Sequence, residues 1–240
     1  MSKSNKMSLW RILAVCLTLT AFGCVISSTP GYAEPATAAG QKPKYDTTHV
    51  YLLRGLLNVF SLGMDELGDK LRQRGFRATT HNHLMWSSLA DEAVAEYKRG
   101  RVRSIVIMGH SAGAVAAVDM ANRIGNAGVP VSLVVAFDPA FKTTVSSNNI
   151  RRVVNLYMPN GIGAKVSKPK GYSSTVENVD LSNAPINHMT LDKSNLIHER
   201  AIGYALQVAR TGGPLAASKV PDASARAKTG VPEAAAQPQQ

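Results

Sequence analysis

Gly109-His110-Ser111-Ala112-Gly113 sets one serine between two glycines, directly after the apolar run Ser104–Met108. A serine hydroxyl is a weak nucleophile at neutral pH. It becomes an effective one when an imidazole takes its proton and a carboxylate orients that imidazole. The chain supplies both kinds of partner downstream. The only histidines after Ser111 are His188 and His198. Asp138, Asp180 and Asp192 are the carboxylates placed to pair with one of them. Together these residue types can perform acyl transfer, in which serine attacks a carbonyl, an acyl-enzyme forms, and water or another acceptor releases it.

Position separates the partners. His188 lies in Asn187-His188-Met189, ahead of the closing helical segment, where a mobile loop can reach over the serine. It is the expected base. His198 sits inside that segment beside Glu199 and reads as a surface residue. Asp138 follows the apolar run Val131–Phe137, and Pro139 ends the strand there. It is the expected acid, with Asp180 the alternative. Asp192 reads as an N-cap for the closing helix, and Asp119 as a surface residue on the helix after the serine. The oxyanion that forms during attack needs backbone donors. The N–H of Ala112, next to the serine, is one. The N–H of Leu56, in Leu53-Arg54-Gly55-Leu56-Leu57, is the expected second.

The glycines have a steric purpose. A serine raised on a sharp strand-to-helix turn requires strained backbone, and strand and helix then pass so close that side chains at 109 and 113 would collide. A plain strand-to-helix turn without chemistry would show the same glycines. His110, adjacent to the serine, points elsewhere and reads as a packing or hydrogen-bonding residue. His81-Asn82-His83 invites a metal reading but lacks a third ligand nearby, so a polar strand end is expected. No metal or cofactor is implied. Phe60, Met64, Met85, Trp86 and Phe141 fall near expected loop ends on the same side as the serine. They suit either an acyl pocket or ordinary core packing.

The elements that must hold these residues alternate. Strands are expected at Thr48–Arg54, Phe76–Thr80, Ser104–Met108, Val131–Phe137 and Arg152–Met158, with a weaker one near Val176–Leu181. Helices are expected at Ser61–Arg74, Ser87–Lys98, Ala112–Ile124 and Ser194–Ala209. Repeated strand–helix units imply a mostly parallel sheet of about six strands, helices on both faces, and a site at the carboxyl ends of the strands.

The chain has 240 residues, a net charge of +11 and two cysteines. Residues 1–33 read as a secretory signal. Lys3, Lys6 and Arg11 precede an apolar stretch, and Gly31-Tyr32-Ala33 offers a cleavage site. The product would be periplasmic or secreted, with membrane anchoring, or lipidation at Cys24, as the lesser alternative. Cys16 and Cys24 both lie in this segment, so the remainder has no disulfide and is held by its core. Residues 34–46 read as a linker, 47–210 as one domain and 211–240 as a disordered Pro/Ala-rich tail. Basic residues are scattered, without aromatic interleaving, which argues against nucleic acid. They keep the surface solvated, or favour an anionic membrane surface.

The motif in its setting resembles the nucleophile elbow of a small α/β-hydrolase of the serine lipase, esterase or thioesterase kind. Phe137-Asp138-Pro139-Ala140 resembles the acid-bearing turn of pancreatic-type lipases. The resemblance spans about residues 48–209. It implies a three-layer α/β-hydrolase-like fold with Ser111 as nucleophile, Asp138 as orienting acid and His188 as base, acting on a small-molecule or lipid acyl ester. Two departures stand out. Arg54-Gly55 replaces the His-Gly common at the oxyanion loop, and six strands rather than eight leave no room for a sizeable cap domain. A non-catalytic envelope binding protein on the same scaffold, or an acyltransferase with the same triad, is the competing expectation.

Overall fold

A computed structural model describes residues 43–56 and 62–211. The expected signal segment with Cys16 and Cys24, most of the expected linker, Phe60 and nearly all of the expected tail lie outside the described residues. The chain forms β1 (Tyr45–Arg54), α1 (Gly63–Gln73), β2 (Phe76–Asn82), α2 (Trp86–Lys98), β3 (Ser104–His110) and α3 (Ala112–Asn126). β4 (Leu133–Phe137), β5 (Thr143–Thr144), β6 (Arg152–Tyr157), β7 (Val166–Ser167), β8 (Thr175–Asp180), α4 (His188–Leu191) and α5 (Asn195–Thr211) follow.

Six strands make one sheet in the order β2-β1-β3-β4-β6-β8, and every pairing in it is parallel. Its central strands are apolar runs rather than alternating patterns, because helices cover both faces. All seven residues of β3 and all five of β4 are buried. On one face Met64, Leu67 and Leu71 of α1, spaced by three and four, meet Ile197, Ala201 and Ala205 of α5 over Val106, Met108 and Val135. On the other face α2 and α3 lay Leu89, Ala93, Ala117 and Ala121 over Tyr51, Ile105 and Ile107. Met64 is therefore a core residue and not a pocket wall.

β1 lies between β2 and β3, so the chain reverses its direction of travel across the sheet between these strands. Reversal opens a crevice at the carboxyl ends of β1 and β3. Ser111 stands immediately after β3 and Gly55 immediately after β1.

The structure differs from expectation in three places of consequence. β5 and β7, a two-residue pair outside the main sheet, were not foreseen. β8 is a regular six-residue strand, but as an edge strand it is half exposed and carries Glu177, Asn178 and Asp180, which is why its signal is weak. His188 is not in a mobile loop. It opens the single helical turn α4, whose N-cap Asn187 accepts from the N–H groups of Met189 (2.9 Å) and Thr190 (3.1 Å), while the Thr190 hydroxyl accepts from the Asn187 N–H (3.0 Å). This reciprocal cap fixes the turn.

Candidate active site

Ser111 has φ 58 and ψ −120, and Asp138 has φ 49. They are the only described non-glycine residues with positive φ. Such backbone costs of order 1–3 kcal/mol per residue and persists only when surrounding structure enforces it. At Ser111 that structure is a crossing of three chain segments. A Cβ on Gly109 would overlap the Gly113 carbonyl, and one on Gly113 would overlap the carbonyls of Leu53 and Arg54. The Ser111 N–H donates to the Phe137 carbonyl at 2.9 Å, which ties the elbow to the end of β4.

At the end of β4, Asp138 is fully buried. Its Oδ1 accepts the Met158 N–H at 2.7 Å and its Oδ2 lies 2.7 Å from His188 Nδ1. A carboxylate only accepts, so Nδ1 carries the proton. His188 Nε2 lies 3.0 Å from Ser111 Oγ and is then the acceptor of the serine proton. The structure thus brings Ser111, His188 and Asp138, one residue from each of three separate connections, into a single hydrogen-bonded chain.

The other acid and base candidates are elsewhere. Asp180 ends the edge strand, is exposed, and accepts from the N–H (2.8 Å) and hydroxyl (2.6 Å) of Ser182. Asp119 is half-buried on α3. His198 is not a surface residue. It is 1% exposed, with Nε2 donating to the Asp192 carbonyl and Nδ1 3.0 Å from Lys70 Nζ. Asp192 is not the cap of α5 either. It follows α4 as a C-cap residue, 1% exposed, its carbonyl held by His198 and its carboxyl turned inward. Burial holds that carboxyl up at about 6.

The oxyanion candidates flank the serine. Ala112 opens α3, so its N–H has no acceptor within the helix. Leu56 follows Gly55 in the segment that runs against Gly113, and its side chain is exposed. Arg54, in place of histidine, forks onto Asp65 of α1, with Nε–Oδ2 2.8 Å and Nη2–Oδ1 2.5 Å. This pair anchors the base of the loop to the start of α1.

Three supporting residues escaped the sequence reading. Asn187 caps the turn carrying His188, and Asn-x-x-Thr was the available signal. Asp65 could not be paired with Arg54 from spacing alone. Gly163 lies against the acid, where a Cβ would overlap Asp138 Oδ1. Gly163→Ala is expected to displace the carboxylate and lower kcat at least 10-fold, with KM little changed, in steady-state ester kinetics.

Among the described residues no group of three or more His, Cys, Asp or Glu side chains is arranged to hold a metal. His81 and Asn82 end β2, and Asn82 caps the short turn that follows by accepting from the Leu84 N–H at 2.9 Å. Exposed apolar side chains collect at the carboxyl end of the sheet. Leu56, Leu62, Leu84, Met85, Phe141, Ile162 and Met189 all follow strands there or flank His188. Trp86 packs against the α2–α3 core.

Three buried histidines, His198 among them, have their pKa lowered by burial, and two of these are held furthest down. Burial and the nearby Arg77 hold His49 down at about 4, despite its 3.0 Å contact with Glu96. Burial and the neighbouring His188 do the same to His110. Unfolding restores both to about 6.5. Between pH 6.5 and 4 the unfolded chain therefore binds two protons that the folded chain refuses, while Asp192 returns one of them below pH 6. The net sign is loss of stability as pH falls, roughly 1 kcal/mol per unit. Urea unfolding at pH 7.5 and pH 5 should give midpoints clearly lower at pH 5.

A six-stranded parallel sheet lies between helical layers, with no inserted cap domain among the described residues. No model of a known family matches the chain, and no curated protein does. Solved structures do align with the chain. A member of the alpha/beta hydrolase superfamily from Xanthomonas campestris aligns at 13% identity over 68% of this chain and 98% of its own, TM-score 0.44. The RedJ thioesterase of Streptomyces coelicolor aligns at 11% over 73% and 92%, TM-score 0.43. Est1E of Butyrivibrio proteoclasticus aligns at 12% over 69% and 90%, TM-score 0.40.

Proposed function

We propose that the protein is a serine hydrolase that cleaves carboxylic esters or thioesters through Ser111, His188 and Asp138. The observation that carries this reading is the continuous chain Asp138–His188–Ser111, at 2.7 and 3.0 Å, ending on a serine with strained backbone. His188 Nε2 takes the Ser111 proton as Oγ attacks the carbonyl carbon. The N–H groups of Ala112 and Leu56 receive the negative charge on the carbonyl oxygen. Asp138 holds the imidazole in the required tautomer and stabilises the imidazolium. His188 then protonates the leaving alcohol or thiol, and water, deprotonated by His188 in turn, hydrolyses the acyl-enzyme.

The apolar rim supports an acyl portion that is itself apolar. Leu84 is 76% exposed and Phe141 68%, and water-facing side chains of this size gain from covering by a hydrocarbon chain. We infer from the N-terminal pattern of charges, apolar stretch and small residues that the enzyme acts outside the cytoplasm.

A fluorophosphonate probe and a series of nitrophenyl esters from acetate to laurate test the reading together. Wild-type protein is expected to be labelled at Ser111 and to turn over the longer esters more efficiently than acetate. Absence of labelling, with no turnover of any ester or thioester, would overturn it in favour of a binding protein on this scaffold.

A further inference from the structure

Behind the triad lies a second imidazole and carboxylate that acyl transfer does not require. His110, the residue before the nucleophile, is 1% exposed, and its ring centroid is 4.9 Å from that of His188. His110 Nε2 is 2.9 Å from the main-chain carbonyl oxygen of His188. A carbonyl oxygen only accepts, so Nε2 donates and Nδ1 faces the other way. On that side Asp192 Oδ2 lies 3.9 Å from Nδ1. Asp192 is 1% exposed, and no side chain completes a hydrogen bond to its carboxylate oxygens. A buried carboxyl supported by main-chain N–H groups alone is costly, and this one sits directly after the turn that carries His188.

We propose that His110 and Asp192 are a positioning pair for His188: His110 pins the main chain of His188, and the Asp192 carboxylate adds a second negative charge that acts on its imidazole besides that of Asp138. The inference rests on the serine-hydrolase reading above. The acquired charge of His188 during turnover is then felt by two buried carboxylates rather than one. At low dielectric such a charge is felt across one intervening ring.

The surroundings fit this assignment. His188, Asp138 and Lys193 are the charged and titratable groups acting on His110, besides Asp192. His188 and Lys193 act on Asp192, and the α1 N-terminus adds the Gly63 N–H. Burial holds His110 down at about 4 and Asp192 up at about 6. At pH 7 the pair is therefore a neutral ring and a carboxylate, the form that favours an imidazolium at His188. Lys193 opposes that effect in part. Below pH 6 the carboxyl takes up its proton and the support is withdrawn.

Nuclear magnetic resonance titration of the His188 ring, in wild type and Asp192→Asn, reads the electrostatic half without any need for turnover. The His188 ring resonances are expected to change at lower pH in Asp192→Asn than in wild type. The acid limb of kcat/KM should move down by the same amount. An unchanged His188 titration in a variant that melts like wild type would overturn the role of Asp192.

His110→Gln and His110→Leu read the other half. The glutamine amide can still donate to the His188 carbonyl, and leucine cannot. Glutamine is expected to keep kcat within about 3-fold of wild type, while leucine loses about 10- to 100-fold with KM unchanged. Equal kinetics for the two variants, whether both active or both impaired, would overturn the role of His110. Failure of the wild type to react with fluorophosphonate would instead count against the serine-hydrolase reading, while the His188 titration would still decide the electrostatics.

Discussion

Ser111→Ala is expected to remove ester turnover by about 10⁴- to 10⁶-fold and to abolish fluorophosphonate labelling, with the circular dichroism spectrum unchanged. The loss is large because, in the proposed mechanism, Oγ is the atom that forms the covalent bond. With it gone, His188 and Asp138 have no nucleophile to activate, and only the oxyanion donors and substrate binding remain. The same position predicts a stability effect of opposite sign. Ser111 holds φ 58 against the preference of any residue with a Cβ. Ser111→Gly, which has no such preference, should raise the melting temperature while being as inactive as alanine. A serine chosen for packing alone would not pay for backbone strain at a half-buried strand end. Retention of turnover by Ser111→Ala, measured with a pure preparation and a medium-chain nitrophenyl ester, would move the nucleophile elsewhere.

Asp138→Asn should be nearly as damaging, lowering kcat by about 10⁴-fold. An amide at this position presents an N–H or an oxygen to His188 Nδ1, but its oxygen is also wanted by the Met158 N–H at 2.7 Å. Satisfying Met158 with the amide oxygen turns the amide nitrogen toward His188. The imidazole must then present a bare Nδ1 and a protonated Nε2, the wrong tautomer to accept the serine proton. The fold should survive, because the substitution conserves volume and removes a buried charge. Asp180→Asn is the control. Its carboxylate is exposed and bonded to Ser182, so turnover should stay within about 2-fold of wild type. Steady-state kinetics of the two variants side by side distinguish the alternatives, and the reverse ranking would transfer the acid role to the edge strand.

Much of the scaffold could be read from the chain. Apolar runs without alternation mark β3 and β4 because both faces of a parallel sheet are covered. The glycines at 109 and 113 mark the crossing at the serine because no Cβ fits there. Strand β8 was faint because an exposed edge strand needs only one apolar face. The cap at Asn187 was overlooked because a single helical turn carries too few residues for a periodic signal. Asp192 was misread as a helix cap and His198 as a surface residue because polar residues next to a helix start usually cap it or are solvated. Here both are buried, and the Asp192 carbonyl accepts from His198.

By itself the sequence determined the local part of the protein: a strand, a turn that only glycines allow, a helix, and a serine raised between them. Local sterics act over a few residues, so their demands are written in adjacent letters. Which carboxylate and which imidazole serve that serine is a matter of segments 27 and 77 residues away in the chain. Parallel strand order brings the end of β4 beside the end of β3, and the capped turn α4 then lowers His188 onto both. The same packing set His110 and Asp192 behind His188, an arrangement with no sequence signature because nothing but tertiary contact joins them.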